Sequence, residues 1–91
     1  MLILVSYDIP DDRRRTRLAH VLKDFGQRVQ YSVFECRLDP DQLERLRQRV
    51  LRRIDPERDN VRFYRLCATC AGEVEAHGIA QILEEPEVYI L

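Results

Sequence analysis

The stretch "LILVSYDIPDDRRRTR", residues 2–17, holds the signals that decide the fold of this 91-residue chain. It opens with a run of apolar residues that ends in Tyr7 and Asp8. Both faces of the run are apolar in its first half, and such a pattern is typical of a strand that is covered on both sides. Residues 2–8 are therefore predicted to form the first strand, with an acid at its carboxyl end.

The residues after this strand carry the signals of a helix start and a helix stop. Pro10 breaks the strand, and Asp11 and Asp12 are predicted to cap the helix that follows. Apolar residues then recur at helical spacing as far as about Phe25. Gly26 is expected to end the helix.

The remainder of the chain is predicted to alternate between strands and one more helix. Residues 28–38 are rich in β-formers and read either as one long bent strand or as two short strands that meet near residues 31–32. Asp39 and Pro40 suit the cap and first position of a second helix, which runs to about Ile54. Three further short strands are predicted at residues 61–67, 73–77 and 84–91.

This order of elements predicts an α+β class, a single domain over residues 1–91, and a ferredoxin-like βαββαβ sandwich with an extra C-terminal strand. Both helices would then pack on one face of the sheet. The apolar first strand needs cover on the other face, and a second copy in a symmetric homodimer is the simplest cover. The terminal residues 88–91 could pair with the partner's sheet edge or within their own chain, and both alternatives stay open.

Composition and charge narrow the class of protein. The chain is 45% hydrophobic and 34% charged with a formal net charge of −1, which fits a folded soluble protein rather than a simple basic nucleic-acid glove. The longest apolar run, residues 1–5, is too short to span a bilayer and lacks the flanks of a signal peptide. We therefore expect a cytoplasmic protein that has no membrane partner.

Four arginines crowd the first turns of the first helix. Cations are disfavoured at a helix N-terminus by about 0.3–1 kcal/mol each, so their placement indicates a nearby anion. That anion could be a nucleic-acid phosphate backbone, or it could be the carboxylates of Asp11 and Asp12. The predicted phosphate-binding residues on this helix are Arg13, Arg14, Arg15 and Arg17.

Asp8 is the candidate metal ligand, although an Asp before a proline is also a common turn residue. Mg²⁺ commonly takes only one or two carboxylates from protein and completes its shell with water and phosphate oxygens. If two chains meet about a two-fold axis near the ends of their first strands, two Asp8 side chains could hold one Mg²⁺ between them.

The three cysteines do not predict a disulfide framework, because their number is odd and the chain shows no export signal. Cys67 and Cys70 have the spacing of half a zinc site, with no second half to complete it. A redox pair with this spacing would open a helix, and Ala71-Gly72 makes a poor helix start. A structural role is therefore expected, with an intersubunit or partial metal contact and a redox role as alternatives.

The segment "YDIPDDRRRTRL", the later "RVQYSVFEC" and the terminal "EVYIL" together resemble the small CRISPR-associated Cas-two family, one of the two universal spacer-acquisition proteins. The likeness covers nearly the whole chain. It implies a ferredoxin-like homodimer in which Asp8 binds Mg²⁺ jointly with its copy. It also implies that the positions near the active site are Tyr7, Arg15, Arg17, Arg28 and Phe34, and Arg28 joins the expected nucleic-acid contacts.

Two activities follow from this resemblance. Family members are described as metal-dependent endonucleases that act on single-stranded RNA or double-stranded DNA. They are also described as a non-catalytic dimeric bridge between copies of the larger CRISPR integrase. The resemblance thus implies an endonuclease of spacer acquisition, with the DNA-binding scaffold as the alternative.

Overall fold

The computed structural model describes residues 1–77, and four strands and three helices lie within them. In chain order these are β1 (Leu2–Asp8), α1 (Asp12–Lys23), β2 (Gln27–Gln30), β3 (Val33–Arg37), α2 (Pro40–Leu51), β4 (Asn60–Leu66) and α3 (Ala68–Gly72). The sheet has the order β2-β3-β1-β4 with every neighbouring pair antiparallel. The α+β class and the ferredoxin-like βαββαβ arrangement are confirmed, while the strand predicted at 84–91 lies outside the described residues.

Helix α1 begins where the sequence predicts. The Asp11 side chain accepts a hydrogen bond from the Arg14 backbone N–H at 2.8 Å, which satisfies one of the free donors of the first turn. The helix ends at Lys23, two residues before the predicted end at Phe25.

The sequence predicts that Gly26 ends helix α1, but in the structure this glycine has a packing role. The helix cap is Asp24, and the Gly26 N–H closes back onto the Leu22 carbonyl at 2.9 Å. A Cβ at Gly26 would overlap the carbonyl oxygen of Glu35 and lie 2.6 Å from the Cys36 Sγ. Gly26 therefore allows the end of α1 to approach the backbone of β3 more closely than any side chain would permit.

The β-rich segment forms two short strands that meet in a turn at residues 31–32, one of the two predicted alternatives. A register shift between Arg28 and Gln30 bends β2. Helix α2 is capped by the reciprocal hydrogen bonds of Asp39 and Gln42 and ends at Leu51, three residues before the predicted end.

The core lies between the sheet and helices α1 and α2. The largest fully buried side chains come from β1, β3 and the two helices: Phe34, Ile3, Leu18, Leu22, Leu46, Val5, Val50 and Cys36. The opposite side of the sheet, against which neither α1 nor α2 packs, is called the open face below. Since side chains alternate along a strand, the open face carries Leu4, Ser6 and Asp8 of β1 together with Asn60, Arg62 and Tyr64 of β4.

Two predictions about the end of the described segment are wrong. Residues 73–77 form no strand, and the chain instead passes beside Leu2 at one end of the open face. Cys67 does open a short helix, α3, because its sulfur caps the Cys70 N–H, while Ala71 and Gly72 end that helix rather than start it. Within residues 1–77, no helix is long and apolar enough to cross a membrane.

Candidate functional site

The two residues that end β1 face opposite sides of the sheet. Tyr7 points toward the helices and is only 4% exposed, whereas Asp8 is exposed on the open face. The strand alternation that separates them also separates the predicted site residues into two groups. Asp8 belongs to a cleft on the open face, and Tyr7, Arg15, Arg28 and Phe34 cluster on the helix side.

The cleft around Asp8 has a volume of about 140 Å³ and is built from β1 and β4. The strand register places Asp8 opposite Asn60, and Ser6 opposite Arg62. Arg62 donates a hydrogen bond of 3.4 Å to the Tyr64 hydroxyl. A carboxylate, an amide and a hydroxyl thus share one cleft with a guanidinium that could pair with a phosphate.

The donor set of this cleft fits Mg²⁺ in type. Mg²⁺ prefers oxygen ligands, and it is usually bound by one or two protein carboxylates together with waters and substrate phosphates. Within residues 1–77, however, no three His, Cys, Asp or Glu side chains come together in a group that could hold a metal. Within the described residues, a single chain therefore offers one carboxylate to this cleft, and the Asp8 of a second chain would have to supply another.

A separate cavity of about 210 Å³ lies on the helix side, between α1, the end of β1 and β2. Its polar lining includes Tyr7, Arg15, Lys23, Arg28 and Tyr31, and no carboxylate is found among the described residues that line it. We call it the basic pocket. Its charge and its hydroxyl groups suit an anion such as a phosphate.

Aromatic contacts position the floor of the basic pocket. The Tyr7 and Phe34 ring centroids are 6.3 Å apart, and the Arg28 guanidinium lies 5.4 Å above the Phe34 ring. The Tyr7 hydroxyl donates a long hydrogen bond of 3.4 Å to the Tyr31 carbonyl. Burial raises the pKa of Tyr7, and the positive charge of Arg28 acts in the opposite direction. Phe34 is itself fully buried, so it supports Arg28 and Tyr7 from within the core.

Arg15 is fixed at the rim of the basic pocket by one contact within α1 and one to the segment that precedes this helix. Its Nη1 donates a hydrogen bond of 2.9 Å to the Ile9 carbonyl, and its Nη2 pairs with Asp12. Asp12 thus takes up part of the charge, as the second alternative for the arginine cluster expects.

Arg14 is committed to a carboxylate of the fold. Its Nε and Nη2 meet the two oxygens of Asp59 at 2.8 and 3.0 Å. The Asp59 side chain is fully buried, accepts a further 2.8 Å hydrogen bond from the Asp55 N–H, and has its pKa lowered mainly by the Arg14 hydrogen bond. Spacing along the sequence does not reveal this pair, because its members are 45 residues apart.

Arg13 and Arg17 are exposed on α1. Arg17 also lines a groove of about 610 Å³ between the two long helices, together with Lys23, Arg49 and Arg53. Exposed arginines therefore line the helix side of the described chain, and Asp8 is the single acid of the open-face cleft, since Glu35 faces the same side of the sheet farther along, opposite Leu4.

These features define a small ferredoxin-like protein with one acid at the end of its first strand and an arginine-rich first helix. The family model described as "CRISPR associated protein Cas2" matches residues 1–74, and the chain belongs to that family. It is 49% identical over 90 residues to the CRISPR-associated endonuclease Cas2 2 of a Thermus thermophilus strain, covering 99% of this chain and 96% of the relative. It is 47% identical to the CRISPR-associated endoribonuclease Cas2 of Chlorobaculum tepidum, covering 86% of each.

Solved structures agree with this assignment. The crystal structure of Streptococcus pyogenes Cas2 at pH 6.5 is 41% identical, with a TM-score of 0.72, and the match covers 86% of this chain and all of that one. A chain of a partial Cas6-RT-Cas1–Cas2 complex is 30% identical, with a TM-score of 0.72, and the match covers 82% of this chain and 88% of that one. The resemblance stated from the sequence is confirmed.

Proposed function

We propose that this chain acts in CRISPR spacer acquisition as a symmetric dimer that cleaves phosphodiester bonds with Mg²⁺ held between two copies of Asp8. The observation that carries this proposal is the exposed Asp8 carboxylate in a cleft with Asn60 and Arg62. The relatives' names, endonuclease and endoribonuclease, support hydrolysis of nucleic acid. One name specifies RNA cleavage and the other does not, so single-stranded RNA and double-stranded DNA are both candidate substrates.

The dimer follows from the incomplete metal site and from the open face. Tyr64 is 46% exposed there, and Leu4 is only half-buried although it lies on the central strand β1. A second copy packed against this face would bury both side chains. It would also bring a second Asp8 within reach of the same cation, which a single chain cannot do.

The residues of the cleft have complementary tasks in this scheme. Mg²⁺, when bound, would polarise the scissile phosphodiester and favour attack by water. Asp8 supplies the charged oxygen ligand, Asn60 offers an amide to orient a water or a phosphate oxygen, and Arg62 balances phosphate charge. On the other side of β1, the basic pocket would hold a neighbouring phosphate through Arg15 and Arg28.

The exposed arginines of α1 would then follow the nucleic-acid backbone. Arg13 and Arg17 are exposed, as such a contact requires, whereas Arg14 is held by Asp59. Each phosphate contact releases counterions, so Arg17→Gln should lower the slope of log K against log salt by about 0.7–0.9. Arg58→Gln, in the loop after α2, is the matched control and should leave the slope unchanged. An unchanged slope for Arg17→Gln would count against this path.

The decisive test of catalysis is Asp8→Asn, compared with Glu57→Gln at an exposed acid in the α2–β4 loop. Each purified variant is assayed on RNA and DNA with Mg²⁺ and again with chelator, alongside sedimentation to measure the dimer. We expect Asp8→Asn to remain dimeric and to lose cleavage at least about 100-fold, since it removes both metal-binding carboxylates at once. Cleavage at the parental rate by Asp8→Asn would refute the metal site.

A second function is favoured by the solved complex that contains Cas1 and a Cas2 chain similar to this one. In that reading the chain is a dimeric DNA-binding scaffold that bridges copies of the larger CRISPR integrase in the cytoplasm, and Asp8 is not catalytic. Spacer acquisition measured in cells separates the two functions. Full acquisition with Asp8→Asn supports the scaffold, and its loss supports a chemical role for Asp8.

A further inference from the structure

Cys67 and Cys70 are brought together at the corner where β4 passes into α3. Both thiols are exposed, and the Cys70 backbone N–H donates a hydrogen bond of 3.3 Å to the Cys67 Sγ. Residues three apart within one helical turn lie on the same side of the chain. The two sulfurs are therefore neighbours with access to solvent, as a vicinal pair needs to be for thiol–disulfide exchange.

The two thiols are not equivalent. Hydrogen bonds from the backbone and the thiol of Cys70 lower the pKa of Cys67. These bonds are local to one turn, since α3 has only five residues. The thiolate is the nucleophile in thiol–disulfide exchange, so Cys67 should attack first and Cys70 should act as the resolving thiol.

Cys36 provides an internal reference for this reactivity. It is fully buried on β3 against Gly26, and burial raises its pKa to about 11. It therefore lacks both the access and the ionisation that exchange requires. Within one chain, reactivity should fall in the order Cys67, Cys70, Cys36.

We propose that Cys67 and Cys70 form a redox pair that closes to an intramolecular disulfide by exchange with a low-molecular-weight disulfide such as oxidised glutathione. The Cys67 thiolate attacks one glutathione sulfur, forms a mixed disulfide and releases one glutathione thiolate. The Cys70 thiolate then attacks the Cys67 sulfur and releases the second. Two electrons pass from the pair to glutathione, and the two cysteine protons go to solvent or to the released thiolates.

The disulfide would covalently link Cys67, which caps α3, to Cys70 within that helix. This corner follows the strand that carries Asn60, Arg62 and Tyr64, and it leads into residues 71–77 at the Leu2 end of the open face. Oxidation would thus stiffen the connection between the β4 edge of the sheet and the segment beside the open face.

The test uses the full reduced chain, treated with excess oxidised glutathione under native conditions and followed by intact-mass and peptide-mapping spectrometry. We expect the parent to lose two hydrogens, to carry a Cys67–Cys70 link and to gain no intermolecular bond. Cys70→Ser should instead accumulate a stable glutathione adduct on Cys67. Cys67→Ser should react about tenfold more slowly, since the favoured thiolate is gone, and Cys36→Ser, the matched control, should close the pair as the parent does.

Three outcomes would overturn the proposal. A lasting glutathione adduct on the parent would show that Cys70 does not resolve it. A disulfide between two chains would show that the pair works across an interface. Zinc bound to the protein as purified, with the thiols protected until chelator is added, would make the pair a metal half-site instead.

Discussion

Replacing Phe34 by leucine tests whether this residue acts on the substrate or supports the residues that do. The family resemblance places Phe34 near the active site, yet its ring is fully buried in the core. The ring contacts Tyr7 at 6.3 Å between centroids and carries the Arg28 guanidinium at 5.4 Å. A supporting residue should affect stability strongly and catalysis only through its neighbours.

The size of the effect can be worked from these contacts. The exchange of a buried phenyl for a smaller aliphatic group costs about 1 kcal/mol in transfer and packing. Loss of the aromatic pair adds about 0.5–1.5 kcal/mol, and loss of the cation–π contact about 0.5–1 kcal/mol. The variant should therefore lose about 2–3.5 kcal/mol of unfolding free energy, which lowers Tm by about 8–28 °C in a domain of this size.

The assay pairs urea unfolding with Mg²⁺-dependent cleavage at a temperature where the variant is folded. Cleavage should fall by less than about tenfold, because only the orientation of Arg28 and Tyr7 is disturbed. Val50→Ala, at a fully buried position on α2, is the control that loses comparable stability without touching the basic pocket. A folded Phe34→Leu variant that keeps its stability and loses cleavage more than about 100-fold would refute the supporting role.

Two further predictions test the packing of the fold. The folded pKa of Asp59 lies below its unfolded value, mainly because of the Arg14 hydrogen bond, so its contribution to stability is present above about pH 4 and is lost as pH falls through the folded pKa. Thermal melts should therefore show a smaller acid-induced drop in Tm for Asp59→Asn than for the parent. Equal drops would contradict the Arg14–Asp59 pair. Gly26→Ala should lower the unfolding free energy in urea by about 2 kcal/mol or more, because its Cβ would overlap the Glu35 carbonyl. Gly72→Ala, with nothing within 4 Å of the added Cβ, should be nearly neutral, so similar losses for the two glycines would argue against that close approach.

The arginines at the start of α1 fall into two groups, those that pair with carboxylates and those that remain exposed. Arg14 and Arg15 make ion pairs with Asp59 and Asp12, so part of the arginine cluster is satisfied by the fold itself. Arg13 and Arg17 remain exposed. The carboxylate interpretation of the cluster thus holds for Arg15, which pairs with Asp12. The phosphate interpretation stays a prediction, and Arg13 and Arg17 are the residues on which it can be tested.

Local sequence determined the elements themselves. Period-two and helical spacing, the caps at Asp11 and Asp39, and the β-formers around residues 28–38 are signals that act over a few residues, and each helix or strand formed within about three residues of its predicted bounds up to Leu66. The same local rules failed at Cys67, where a side-chain cap started a helix that propensity disfavours. Strand alternation is a further local rule, and it places Asp8 and Tyr7 on opposite sides of the sheet.

Only the tertiary structure decided which distant residues meet. The pairing of β1 with β4 places Asn60 and Arg62 beside Asp8. The fold also brings Asp59 into contact with Arg14, although the two residues are 45 positions apart in the sequence. Such contacts depend on strand order and helix packing, which no short window of sequence encodes. The acid and the arginines could thus be named from the sequence, but their division between the two sides of the sheet came from how the whole chain packs.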